Sequence, residues 1–139
     1  MKKREPVSAI MTKSVVTAQL KTDYLRSVKE EFLKHKIRHI PILDGHELVG
    51  IVSKNDLMRL SFGNLFEGQE SADEAIFDML SIEQVMSQHP TTVRPDTEIR
   101  EVAKLFVEQD FHSLPVMENK ELKGIVTSTD VMDYLLRQY

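Results

Sequence analysis

Gly50-Ile51-Val52-Ser53-Lys54-Asn55-Asp56 returns 74 residues later as Gly124-Ile125-Val126-Thr127-Ser128-Thr129-Asp130. The identity runs on beyond the heptapeptide. At the same spacing Arg26 matches Arg100, Val28 Val102, Phe32 Phe106, Pro41 Pro115, Glu47 Glu121, Leu48 Leu122 and Met58 Met132. Upstream the spacing is 75, pairing Met11 with Met86 and Thr17 with Thr92, so the second copy carries one extra residue near Thr97. A repeated unit that cannot close its own core needs its neighbour, and two copies suggest a closed pseudo-twofold pair rather than an open solenoid.

Each copy reads in the same order. A short apolar helix comes first, with Val7, Ile10 and Met11 or Ile82, Val85 and Met86. Pro6 suits the first helical position, and Ser81 with Gln84 forms a capping-box pattern. A short strand follows at Val15-Val16-Thr17 or Thr91-Thr92-Val93, then a polar turn marked by Pro95-Asp96 in the second copy. Leu25, Val28 and Phe32, and Ile99, Val102, Ala103 and Phe106, each trace one buried helical face. A proline-bearing strand comes next, Ile40-Pro41-Ile42-Leu43 or Leu114-Pro115-Val116-Met117. Asp44-Gly45 or Glu118-Asn119 turns it into the strand Leu48–Val52 or Leu122–Val126. The last helix starts at Ser53 or Thr127 and carries Leu57 and Leu60, or Val131, Tyr134 and Leu135. The predicted fold is α+β: two β-α-β-β-α repeats, 1–60 and 82–139, packed with pseudo-twofold symmetry.

Residues 61–81 lie between the copies as a helical linker. They contain Phe62, Leu65, Phe66 and Gly68, then the capping-box run Ser71-Ala72-Asp73-Glu74. A helix from there would set Ala75, Ile76, Met79 and Leu80 on one side, and that stripe must bury against its own domain or a second chain.

The bulk composition bounds the function. With 139 residues the chain can bury a core, and its net charge of −4 argues against nucleic acid or an anionic membrane as partner. No cysteine is present, which removes disulfides and cysteine catalysis. No stretch approaches a membrane span, and Met1-Lys2-Lys3-Arg4-Glu5-Pro6 has no apolar region after it, so the expected compartment is the cytoplasm.

Both copies place Ser or Thr directly after an apolar strand and Asp three residues later, at a helix start. A lone pattern of this kind is a helix cap. Here the glycine and strand before it recur in the same register while the copies otherwise diverge, and surface caps exchange freely with Asn or Asp. The same geometry suits a ribose phosphate. Helix-start N–H groups and a hydroxyl can face phosphate, and a carboxylate accepts from vicinal ribose hydroxyls.

In these motifs the chain resembles a tandem pair of CBS domains, a stand-alone Bateman module. The resemblance rests on Gly50 to Asp56 and Gly124 to Asp130, on helices ending Met11-Thr12 and Met86-Ser87, and on Arg38-His39-Ile40-Pro41 and His112-Ser113-Leu114-Pro115. It covers nearly everything except the linker. It implies adenosine derivatives, such as AMP, ADP or ATP, held as regulatory ligands in two clefts between the repeats, with no reaction performed on them. Asp56 and Asp130 would bind ribose, and Ser53 and Thr127 phosphate. Each cleft would borrow from the other repeat. The first would comprise Ser53, Asp56 and His39 with Thr92, Phe111 and His112. The second would comprise Thr127, Asp130 and Ser113 with Thr17, Ile37 and Arg38. An arginine sometimes found in the family two residues before the proline is replaced here by His39 and Ser113. The resemblance also implies a homodimer paired through helices, and a stand-alone module implies a regulated protein that the sequence does not identify. A rival reading is a non-catalytic interaction or scaffold protein with vestigial clefts.

Other chemistry finds no support in the sequence. His35 and His39 are four apart, but one ends a helix and the other adjoins a strand, and no second ligand cluster accompanies them, so no metal is expected. Asp, His and Ser occur without a nucleophile motif such as G-x-S-x-G, and no catalytic residue is assigned. The seven methionines fall mostly at apolar positions and read as core filler.

Overall fold

The computed structural model describes residues 4–60 and 75–139. The predicted capping box Ser71–Glu74, with Phe62, Leu65, Phe66 and Gly68, lies outside them. The chain divides into two compact units that cut across the repeat boundaries. One is Val16–His89; the other joins the residues up to Val15 with Pro90–Tyr139.

In the Val16–His89 unit a four-stranded sheet runs in the order β1-β2-β3-β4. Its strands are β1 (Ala18–Gln19), β2 (His39–Asp44), β3 (Glu47–Ser53) and β4 (Ser87–Gln88). β1 lies parallel to β2, and the β2–β3 hairpin and the β3–β4 pair are antiparallel. Ile40, Ile42 and Val52 alternate onto the face that meets helix α1 (Leu25–Lys34), whose Leu25, Val28 and Phe32 are buried. Leu57 of helix α2 (Lys54–Arg59) closes the same core. At the hairpin, Gly45 takes φ +67°, and the Gln19 side-chain amide bonds its N–H and its carbonyl, both at 3.0 Å.

The second unit repeats this plan with its edges reduced to single bridges. The hairpin of β5 (Ser113–Glu118) and β6 (Glu121–Thr127) is flanked by a parallel bridge from Val93 to Val116 and an antiparallel bridge from Thr12 to Ile125. Helix α5 (Ile99–Glu108) buries Ile99 and Val102, and α6 (Ser128–Leu136) buries Val131 and Tyr134. Both hairpins shift register at the same repeat position, Ile42/Leu43 and Val116/Met117.

Several expectations move. The opening helix of the first copy is a single 3-10 turn, Val7–Ala9, and Pro6 is its cap rather than its first residue. That turn belongs to the Pro90–Tyr139 unit: Val7 N–H donates to the Thr97 carbonyl at 2.7 Å, and Val7 is wholly buried there. The second copy's opening helix, α4 (Ile82–Val85), has the predicted Ser81–Gln84 capping box and packs into the Val16–His89 unit. The opening segments are therefore exchanged between the copies. The strand expected at Val15–Thr17 forms at Ala18–Gln19, since only there does the chain draw level with Ile42 and Leu43. The strand at Ser87–Gln88 has no forewarning in its polar sequence.

The linker phase also differs. Residues 75–79 form helix α3, and its buried residue is Phe77 at 4% exposure, while Met79, expected in the stripe, is 81% exposed. The α1 surface decides the phase. Lys29 places its ammonium 4.8 Å from the Phe77 ring centre, and Arg26 grips both Asp78 carboxylate oxygens at 2.8 Å. Leu135, expected on the inner face of α6, is nearly half exposed. Among the described residues no helix is long and apolar enough to cross a membrane.

Candidate functional site

The two S/T-x-x-D motifs sit where their hairpins hand over to a helix. β3 ends with Ser53 in an extended conformation, φ −92° and ψ 150°, and α2 begins at the next residue. Ser53 Oγ accepts from the Asp56 N–H at 3.0 Å. The Lys54 N–H donates to the Arg38 carbonyl at 2.7 Å, tying the helix start to the segment entering β2. The register then sets His39 directly opposite Ser53. Ser53, Asp56, His39 and Arg38 are thus assembled by local pairing alone. Ile37, just upstream, is partly buried against the core, and Thr17 lies exposed next to β1.

The second unit builds the equivalent corner. Thr127 is extended at φ −116° and ψ 163°, its Oγ1 accepts from the Asp130 N–H at 3.1 Å, and Ser113 stands opposite it. The Ser128 N–H donates to the His112 carbonyl at 3.0 Å. Phe111, next in line, presents its ring edge-on to Phe106 with centres 6.1 Å apart. Thr92 is exposed beside Val93, the residue that bridges to Val116.

The two acids are held differently. Asp130 completes a reciprocal capping box, accepting from the Thr127 N–H at 2.9 Å. Asp56 instead faces the Arg59 guanidinium at 3.3 Å. Both aspartates are partly exposed, so neither carboxylate is consumed by burial.

The predicted first cleft takes Ser53, Asp56 and His39 from one unit and Thr92, Phe111 and His112 from the other. The second takes Thr127, Asp130 and Ser113, with Thr17, Ile37 and Arg38. Within each unit the structure brings the hydroxyl, the acid and the residue two before the proline together.

Two features escaped the sequence reading. Arg59 as partner of Asp56 is one, and its spacing of three along a helix would have suggested it. The other concerns Gly50 and Gly124, whose recurrence seemed part of the ligand motif. A Cβ on Gly124 would come within 2.7 Å of Met11 Sδ and 2.8 Å of the Thr12 carbonyl. One on Gly50 would come within 2.9 Å of Met86 Cγ and 3.0 Å of the Ser87 carbonyl. The glycines recur because an opening segment lies against each of them. The signal was present in the paired Met11 and Met86, which are not mere filler.

The CBS domain model matches residues 7–63 and 82–137, and the chain belongs to this family. It is 25% identical over 132 residues to uncharacterized protein MJ1225 of Methanocaldococcus jannaschii, covering 94% of this chain and 47% of that protein, so it spans less than half of that relative. The CBS-pair protein CBSX2 of Arabidopsis thaliana superposes with TM-score 0.80 at 25% identity, covering 96% of this chain and 95% of the other. CBSX2 has also been solved in complex with AMP, and that structure superposes with TM-score 0.76 at 25% identity, over 95% and 97% of the two chains.

Proposed function

We propose that this protein is a regulatory module that binds an adenosine derivative and performs no chemistry on it. The observation carrying this reading is the duplicated corner. In each unit a hydroxyl, a partly exposed carboxylate and the residue two before the proline converge at one strand-to-helix junction. The carboxylate suits a ribose diol, which offers two donors, and the hydroxyl can donate to phosphate. The AMP complex of CBSX2, which covers 95% of this chain, supports the ligand class. Completion of each corner by Thr92, Phe111 and His112, or by Thr17, Ile37 and Arg38, is part of the proposal. Titration calorimetry with AMP tests it. Alanine at both Asp56 and Asp130 should abolish binding while circular dichroism stays native. Unchanged affinity would return the motifs to plain helix caps and favour the scaffold reading.

We further propose a homodimer. Exposed apolar residues recur at matched repeat positions: Leu33 and Val107 are 73% and 85% exposed, and Met58 and Met132 are 47% and 56%. Apolar residues kept in water at the same place in both copies suit a self-complementary surface. The regulated protein is a separate partner, and no metal or resident cofactor enters the reading.

A further inference from the structure

The two corners share their hydroxyl and their acid but differ in the charge around them. Asp56 is followed one turn later by Arg59, which holds its carboxylate at 3.3 Å. The repeat-equivalent residue in the other unit is Asp133, which turns away to pair with Arg137 at 3.2 Å. At the first helical position the contrast is the same in kind: Lys54 in α2 against Ser128 in α6. Helix α2 thus carries two cations, one of them on its aspartate. The other sets a second acid and a neutral hydroxyl.

We propose that Arg59 and Asp133 make the two corners select different adenosyl ligands. The Ser53/Asp56 corner takes a ligand with an anionic 5′ tail, and the Thr127/Asp130 corner one with an uncharged or cationic 5′ substituent. This rests on the adenosine-binding reading above and deepens it. Arg59 uses one N–H group on Asp56 and carries further donors in a planar fork, so a phosphate next to a ribose on Asp56 falls within its chemistry. Asp133 offers that phosphate only repulsion. Its pairing with Arg137 cancels charge one turn further from the helix start without making the corner positive. Arg38, assigned across the repeats to the second corner, is a cation that works against this contrast, so variants on the helices alone measure the share that Arg59 and Asp133 contribute.

The experiment compares AMP with adenosine, which differ by the phosphate alone. Asp130→Ala leaves the first corner and Asp56→Ala the second. The first should prefer AMP strongly and lose the preference as ionic strength rises. Adding Arg59→Ala should cut the AMP-to-adenosine affinity ratio by about fivefold, the scale of one partly exposed charge contact, and Arg59→Asp by more. The second corner should show little preference or favour adenosine, and Asp133→Arg should shift its ratio toward AMP by a similar factor. Both charged residues are well exposed, so these variants should fold. Equal ratios in the two single-corner proteins, or ratios unmoved by Arg59→Asp and Asp133→Arg, would overturn the selectivity while leaving adenosine binding intact. Failure of both compounds to bind the unsubstituted protein would remove the adenosine reading and this inference with it.

Discussion

Single residues divide sharply into those that hold the fold and those that remain available to a ligand, and the glycines fall on the first side. Gly124 meets a backbone carbonyl, that of Thr12 at 2.8 Å, and backbone yields less easily than a flexible side chain. Gly124→Ala should destabilise the protein by about 1–3 kcal/mol, as overpacking does. Adding Met11→Ala should recover only part of the loss, because the Thr12 carbonyl stays in place. Urea titration of the three variants measures this, and a neutral Gly124→Ala would place the opening segment elsewhere. Asp56 and Asp130 keep carboxylate surface open to a ligand, although Asp130 also closes the capping box with Thr127. Each lies at a helix start, where a carboxylate is worth roughly 0.3–1 kcal/mol, so removing them should spare the fold.

At the scale of elements, α6 is secured from its outer turns as well as its cap. Glu5, as acceptor for the Tyr134 hydroxyl, and shielding from water both hold its pKa above the ordinary tyrosine value, Glu5 most. The folded state therefore binds this proton more tightly than the unfolded chain does. That stability is complete below the ordinary tyrosine pKa of about 10 and is lost as pH rises through the raised value. Melting curves at pH 8 and pH 11 should show a larger drop for the unsubstituted protein than for Tyr134→Phe. Equal drops would mean that Glu5 and Tyr134 do not interact. The interior elements were legible in the sequence because their periodicities are driven by burial. Leu25, Val28 and Phe32 announce α1, and the apolar runs around Pro41 and Pro115 announce the central strands. The edges were legible only in part: Val93 bridges from within the predicted Thr91–Val93, β1 forms just past the predicted Val15–Thr17, and Ser87 and Gln88 carry no pattern and pair only where the sheet receives them. The Met79 phase failed for a related reason. Helical spacing cannot reveal that Lys29 and Arg26 of α1 would draw Phe77 and Asp78 toward themselves. The two site corners were legible because each is local in sequence, and the spacing of Asp56 and Arg59 carried their contact as well; that Asp133 pairs with Arg137 and not at the corner required geometry.

For the whole molecule the exchanged opening segments matter most. Residues up to Val15 supply the buried Val7, the Met11 contact and the Thr12 bridge of a unit whose remainder begins at Pro90. A chain starting at Val16 should keep the Val16–His89 core and lose protection in β5 and β6. Amide hydrogen exchange followed by mass spectrometry would show this, and uniform protection in the truncated chain would contradict it. The same arrangement fixes an order of events during synthesis. Val16–His89 is continuous, so it can close as soon as Ser87 and Gln88 leave the ribosome. The opening segment finds its first partners only when Pro95 and Thr97 have been made, and its Thr12 bridge only when Ile125 of β6 follows. Its docking closes the longest loop in the chain and so comes last. A product that stops short of Pro90 would hold a finished first unit and an opening segment whose Val7 and Met11 have lost their cover.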